Sequence, residues 1–592
     1  MPRFHHLLRS VVAAFLAFGV GAIIVHSSPL RADEPAEAKE APKSSASVER
    51  GREKESKKEE PQTHFSAEQQ RSTGSVTVAG HTINYVAYAG TIVVHPKGWD
   101  DVPQNAPQDE DKNAPPEGSM FYVAYFKVPE GGAAAAHGKG TGSPGASDDL
   151  TGVSLPTRPV TFLFNGGPGS STVWLHMGAF GPRRVVTDDH AQTPPAPYRL
   201  VNNDYSLLDA SDLVFVDAPG TGFSRIAGKD RDKAFYGVDQ DAWAFSDFIV
   251  QFLSKYGRWN SPKYLFGESY GTTRSGALSY LLETNRDINF NGVMLLSQVL
   301  NYDLGADAPQ FNPGVDLPYQ LALPTYAATA WYHHKLPGAQ RELAPLLQEV
   351  EQFAMNEYQH ALNAGTTLSA EERDRVVAKL HEYTGLPEEY IRIANLRING
   401  GEFEKSLEGS EITTGRLDTR FVGPTLDPLS EEAEYDPQSA AISSAYVSSF
   451  NDYVRKQLHY GQDKLYKPEI EIPHWNFQHA APGINEPLQQ AVNVMPDLAA
   501  AMKMDPQLHV LLNAGYFDLA TPFYEGVYEM QHLDIPQSLR GNIELQFYES
   551  GHMVYAHEPA LKQMHDNVAA FIQRTQGGAG ASARRPSGGG TP

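Results

Sequence analysis

The stretch that most restricts this chain is Lys263-Tyr264-Leu265-Phe266-Gly267-Glu268-Ser269-Tyr270-Gly271. A short apolar run enters Gly-x-Ser-x-Gly, and a helix-compatible segment follows from Thr272 to Glu283. This reads as strand, sharp turn and helix, with Ser269 at the apex. A turn this tight crowds its own backbone. Glycines therefore flank the serine where a Cβ would clash, and the hydroxyl is pushed out above a sheet. Taken alone, the motif also fits an ordinary glycine-rich βα turn, so the rest of the chain has to decide.

Around it, strand and helix patterns alternate. Pro159 to Phe164 reads as a strand ending in Asn165-Gly166-Gly167-Pro168-Gly169-Ser170-Ser171, and Asp212 to Val216 as another, followed by Asp217 to Ser224. From Asp239 to Tyr256 a helix puts Phe245, Phe248, Ile249, Phe252 and Leu253 on one face. Gly292 to Leu296 is a further buried strand. Such alternation predicts an α/β fold, a mostly parallel central sheet with helices on both faces. Ser75 to Val94 and Met120 to Val128 alternate polar with apolar and aromatic residues, as antiparallel strands opening that sheet would.

Strand signals then stop. Leu343, Leu346, Leu347, Val350 and Ala354 mark one amphipathic helix, and Ala370 to Tyr383 and Ser439 to Tyr460 suggest others. Residues 301–495 are therefore expected to form a largely helical cap inserted into the fold, an independent second domain being the other reading. The sheet pattern resumes at Leu508 to Asn513, leading to Asp518, and at Ile543 to Tyr548, leading to Gly551-His552-Met553. A last helix runs from Ala560 to Thr575. The core is thus expected in two parts, 65–300 and 496–575.

The ends read differently. Arg3 and Arg9 precede an apolar run from Val11 to Val25, with small residues near position 32, as in a secretory signal. The run is short for a membrane span, which needs about 20 residues, although an uncleaved anchor is the alternative. Residues 33–64 are Glu, Lys, Ala, Pro and Ser with almost nothing to bury, and are expected to be a disordered spacer; 576–592 are expected to be a disordered tail. The chain has no cysteine, which excludes disulfides, thiolate chemistry and cysteine-based zinc sites. Its net charge of −23 argues against a nucleic-acid partner. An exported protein of a bacterial envelope, periplasmic or secreted, without stable membrane insertion once the signal is cut, fits these features.

A serine hydroxyl is a poor nucleophile unless a base takes its proton, and an imidazole needs an acid to orient it. After Ser269 the later strand ends supply Asp518 and then His552. Each alone could be bland, Asp518 a turn residue or helix cap and His552 a satisfied histidine beside glycine. Together they follow the order Ser, Asp, His of α/β-hydrolases, at the strand ends where such groups gather. The oxyanion would need two donors: the N–H of Tyr270, directly after the nucleophile, and one from the Asn165-Gly166-Gly167 loop. A phosphate cradle is the other reading of that loop, but it lacks a Gly-Lys-Ser/Thr ending. Neither metal nor other cofactor is expected.

Asn165 to Ser171, Asp217 to Ser224, Gly267-Glu-Ser-Tyr-Gly271, Ala514-Gly-x-x-Asp518 and Gly551-His-Met553 together resemble the serine carboxypeptidase family, over roughly Met120 to Leu300 and Leu508 to Phe571. The resemblance implies an enzyme acting on peptides or proteins and removing C-terminal residues. It implies that Asn165 and Glu268 bind the substrate's terminal carboxylate and that Gly167 and Tyr270 form the oxyanion hole. Three positions depart from the family: Ser170 stands where a cysteine is usual, Ala179 where a second glutamate is usual, and Gly515-Tyr-Phe-Asp518 replaces Gly-Asp-x-Asp. Without that second glutamate, Glu268 loses a like-charged neighbour, and a weaker preference for acid pH than the family's is expected. The rival readings are an aminopeptidase or esterase on the same fold, a family-like acyltransferase, and a binding scaffold without catalysis.

Overall fold

The computed structural model describes residues 64–99, 115–129, 157–484 and 491–577. The expected signal, nearly all of the expected spacer and most of the expected tail lie outside the described residues.

One large sheet organises the chain. Its strands are β1 (Gln69–Val78), β2 (His81–Val94), β3 (Glu117–Lys127), β4 (Val160–Phe164), β5 (Asp212–Val216), β6 (Arg225–Ala227), β7 (Lys263–Glu268), β8 (Gly292–Leu296), β9 (His509–Gly515) and β10 (Ile543–Tyr548). The order across the sheet is β1-β2-β3-β5-β4-β7-β8-β9-β10, with β6 beside β3. From β5 to β10 every pairing is parallel, whereas β1, β2, β3 and β6 pair antiparallel. This is the expected α/β-hydrolase arrangement. The stretch read as opening strands folds back on itself at Ala79 and Gly80, both at positive φ, as a two-residue hairpin turn between right-twisting strands requires.

Side chains of the central strands alternate between two cores because both faces are covered. Leu163, Phe266, Met294 and Leu296 face one core; Phe162, Leu265, Val293 and Leu295 face the other. Helices α1 (Val238–Lys255) and α2 (Tyr270–Arg286) cover the second face. Phe245, Phe248 and Phe252 of α1 are fully buried there, each contributing about 1.5–3 kcal/mol relative to an exposed side chain.

The insertion does not pack as one cap. Helices α3 (Leu317–Tyr332), α4 (Leu343–Phe353) and α5 (Ala370–Thr384) share a core of their own, joined by Phe517, Leu519 and Phe523 from the sheet end. Helix α6 (Pro437–Lys456) instead puts Ile442, Tyr446, Phe450 and Tyr453 into the core on the first face of the main sheet, to which α9 (Glu558–Thr575) also contributes. It ends at residue 456 rather than 460 because the chain turns through His459 and Gly461, both at positive φ. Sequence pattern gives α6 an apolar face but not the partner of that face. Helix α3, apolar on all sides and containing Pro324, shows no amphipathic period to read. Two more helices complete the part near the site, α7 (Met495–Met504) and α8 (Phe523–His532).

Beyond α6 the chain runs as a strap across the carboxyl ends of the strands. Lys467 and Gly222 exchange backbone hydrogen bonds, Ser171 N–H donates to Pro468 O (2.8 Å), and Ile470 N–H donates to Gly169 O (2.9 Å). Backbone ties therefore hold the strap to the loop at Gly169 and Ser171.

Candidate active site

Ser269 leaves β7 with φ 59° and ψ −130°, and α2 begins at the next residue. The close approach explains the flanking glycines. A Cβ on Gly267 would lie 2.1 Å from the Gly271 carbonyl oxygen, and one on Gly271 would lie 2.8 Å from that of Phe164. The Ser269 N–H donates to Leu296 O at the end of β8 (3.0 Å), which ties the turn to the neighbouring strand.

The loop after β4 rests on this turn. A Cβ on Gly166 would stand 2.4 Å from the Tyr270 nitrogen, so glycine is what lets the two backbones meet. Tyr270 opens α2, where the first N–H groups have no intrahelical acceptor and carry the positive end of the dipole. Gly167 sits in the left-handed region at φ 109°. Behind the loop, Arg274 is buried and bonds Asp241 through Nε (2.6 Å) and Nη2 (3.2 Å) and the Asn165 carbonyl through Nη1 (2.9 Å). Its guanidinium lies 4.3 Å from the Phe245 ring centroid. This ion pair fastens the loop to α1 and α2. Thr172 and Asp217 fasten its far end, the Thr172 N–H donating to Asp217 Oδ1 (2.9 Å).

Asp518 and His552 meet as expected. His552 Nδ1 lies 2.8 Å from Asp518 Oδ2, and Asp518 also accepts the Thr521 N–H (2.9 Å) and hydroxyl (2.8 Å). Burial works to lower the His552 pKa, but the charge and hydrogen bond of Asp518 overcome it and hold the imidazole above its ordinary value. Among the described residues no hydrogen bond joins the Ser269 hydroxyl to His552. Asp518 takes Nδ1, and Nε2 is the other polar atom of the ring.

Glu268 is buried beside the serine. Its Oε2 accepts from Asn165 Nδ2 (2.8 Å) and from the Tyr555 hydroxyl (2.8 Å). Burial pushes its pKa up to about 7, against the pull of His552, Tyr555 and Asn165. Asn165 is itself oriented by Leu175, whose N–H donates to its Oδ1 (3.1 Å). Ala179 is fully buried in the core, and the hydroxyl of Tyr555 supplies a partner for Glu268. Ser170 Oγ accepts from Trp174 Nε1 (2.9 Å).

All seven residues singled out in the sequence lie at or beside the carboxyl ends of β4, β7, β9 and β10. Sequence reasoning missed Thr521, Tyr555, Arg274 and Asp241. A charge on the inner face of a helix marks Arg274 and Asp241 and could have been noticed; nothing local marks Tyr555. Asp188, Asp189 and His190 bring polar atoms within 4.8 Å of one another, and among the described residues no hydrogen bond joins them to the site residues above.

The serine carboxypeptidase family matches residues 153–574. A serine carboxypeptidase-like 36 protein of Arabidopsis thaliana is 30% identical over 160 residues, 26% of this chain and 30% of that protein. Pheromone-processing carboxypeptidase KEX1 of Yarrowia lipolytica is 32% identical over 144 residues, 24% of this chain and 22% of that protein. The matched stretches thus span under a third of either relative. Among solved structures, a peroxisomal α/β-hydrolase of Saccharomyces cerevisiae aligns over 88% of this chain and 91% of its own at 10% identity, with a TM-score of 0.30. At that distance the likeness adds nothing to the site, whereas the family match runs from residue 153 through both parts of the core and takes in all five motifs. The chain belongs to the serine carboxypeptidase family.

Proposed function

We propose that the protein is a serine-type carboxypeptidase that releases C-terminal residues from peptides through an acyl-enzyme on Ser269. The observation that carries this is Glu268, buried next to the serine, hydrogen-bonded to Asn165 and Tyr555 and with its pKa pushed up to about 7. A carboxyl protonated below that pH is a donor, and together with the Asn165 amide it can hold a peptide's terminal carboxylate one residue from the nucleophile. An ionised Glu268 would repel it.

In this reading Ser269 Oγ attacks the last peptide carbonyl while its proton passes to His552 Nε2, with Asp518 holding Nδ1–H. Negative charge builds on the carbonyl oxygen, facing the N–H groups of Gly167 and Tyr270. As the C–N bond breaks, His552 returns the proton to the departing amine, and water repeats the sequence to free the acid. The strap is proposed to wall the acyl side, because Trp475 lies edge-on to Tyr270 with ring centroids 5.2 Å apart. Export rests on the basic and apolar pattern of residues 1–32 and would appear as secreted protein shortened at its N-terminus.

The test is a residue-release profile on a peptide mixture, with a fluorophosphonate label mapped in parallel. Stepwise loss from C-termini and a single label on Ser269 are expected. Release from N-termini, or hydrolysis confined to esters, would overturn the reading.

A further inference from the structure

The triad's acid and base sit on separate loops, one after β9 and one after β10, and a segment of the insertion is wedged between them. Thr419 N–H donates to Phe517 O (2.9 Å) and Leu519 N–H donates to Arg416 O (3.0 Å), so the segment bonds the residues on either side of Asp518. On its other flank, His552 N–H donates to Leu417 O (2.7 Å) and Gly551 N–H donates to Asp418 Oδ2 (3.1 Å). The contact is close enough to demand glycine: a Cβ on Gly551 would lie 2.4 Å from Asp418 Cβ and 2.5 Å from Leu417 O.

The wedge is itself held rigid. Asp418 is fully buried, and its two oxygens accept from Arg420 N–H (3.1 Å), Nε (3.0 Å) and Nη2 (2.6 Å) as well as from Gly551. Arg420 Nη2 also reaches Ser550 Oγ (3.4 Å). From below, Asp436 caps α6 by accepting the Ser439 N–H (2.7 Å), and its other oxygen accepts the N–H groups of Arg416 (3.0 Å) and Leu417 (2.7 Å). The peptide of Leu417 thus runs from the cap of α6 to the backbone of His552.

We propose that Asp418 is a positioning residue for the reaction, and that the wedge 416–420 sets the spacing of Asp518 and His552. The Asp418 carboxylate is buried as an ion pair with Arg420, and the same carboxylate also takes the Gly551 N–H, so the pair that compensates its burial also grips the loop of His552. Here it fixes a loop whose displacement by about 1 Å would misalign the base, a shift worth about 10²-fold in rate. Asp418 touches neither substrate nor reacting atoms; it acts through Gly551 and through the Leu417 carbonyl. The proposal rests on the role given to Ser269, Asp518 and His552 but not on the identity of the substrate.

The test uses the full chain with Asp418→Ala and Asp418→Asn, read by the rate of fluorophosphonate labelling at Ser269, by kcat and KM on a peptide, and by thermal unfolding. Labelling reads the triad alone, so it remains informative if the carboxypeptidase reading fails. Asp418→Ala should label about 10²-fold more slowly, with kcat lowered and KM unchanged. Asparagine keeps the shape but turns one acceptor into a donor facing Gly551 or Arg420, and should lose about tenfold. The acid limb of the labelling profile should move in both, which a merely structural role would leave in place. Should the alanine variant not fold, the asparagine variant decides. A folded variant of either kind that labels at the wild-type rate with an unmoved acid limb overturns the proposal.

Discussion

Residues 263–286 and residues 415–421 both hold the proposed triad of Ser269, Asp518 and His552, and they do so in opposite ways. The first stretch works through residue types. Crowding at the turn requires Gly267 and Gly271, the serine takes φ 59°, and the helix after it supplies the N–H of Tyr270. The second works through peptide groups, with the carbonyl of Leu417 and the N–H of Thr419 contacting the loops of His552 and Asp518. The backbone of any residue can offer a carbonyl, so the second stretch leaves almost no mark in the sequence. A nucleophile is therefore found by its local pattern, and its alignment has to be found in space.

The largest effect that would break this comparison is loss of the proposed nucleophile, Ser269. Ser269→Ala should lower kcat about 10⁶-fold if the three groups act as a unit, measured against a wild-type sample of equal stability. Residual turnover within a factor of ten of wild type would move the chemistry elsewhere. Next in size is the Arg274–Asp241 ion pair behind the loop at Asn165. Arg274→Met leaves Asp241 buried without its partner and should cost about 3–5 kcal/mol of stability, seen as a fall in the urea midpoint. An unchanged midpoint would mean that Arg274 is not what anchors Asn165.

How much could be read in advance follows from the same contrast. Ser269, Asp518 and His552 were legible because each closes a strand and their order matches one fold. Asn165 and Glu268 became legible only through the family resemblance, since an asparagine and a glutamate near glycines are common in turns. Tyr555 and Asp418 were not legible. Tyr555 follows His552 by three residues with no period linking them, and Asp418 lies 133 residues from Gly551 and about a hundred from the loop of Asp518. Helix α6 shows the same limit: its apolar face was evident, but its docking on the main sheet rather than among the cap helices is a tertiary choice.

A smaller effect sharpens the comparison at the strap. His479 Nδ1 meets Asp239 (2.7 Å) and Nε2 meets Asp497 (2.8 Å), so the imidazole ties the strap to α1 and α7. Burial works to lower its pKa, but the two carboxylates more than offset it and push it up to about 9. Burial also holds Asp497 up, with His479 pulling the other way. Because the folded value lies above the unfolded one of about 6.5, the stabilisation is complete below that pH and is lost as pH climbs through about 9. The Tm gap between wild type and His479→Gln should be widest near pH 6 and should close by pH 10. A gap constant over that range would show that the contact is not ionic.

The most direct test of the central claim, a serine nucleophile served by a carboxylate reader one residue away, is kcat/KM against pH for matched peptides with free and amidated C-termini. For the free acid, wild-type kcat/KM should decline as pH climbs past about 7, where Glu268 ionises, and should fall again on the acid side as His552, which must be neutral to act as base, takes up a proton. Glu268→Gln keeps a donor without the titration, so its alkaline decline should flatten, and the amidated peptide should be nearly indifferent to the change. A wild-type enzyme that cleaves free-acid and amidated peptides equally at every pH would contradict the account.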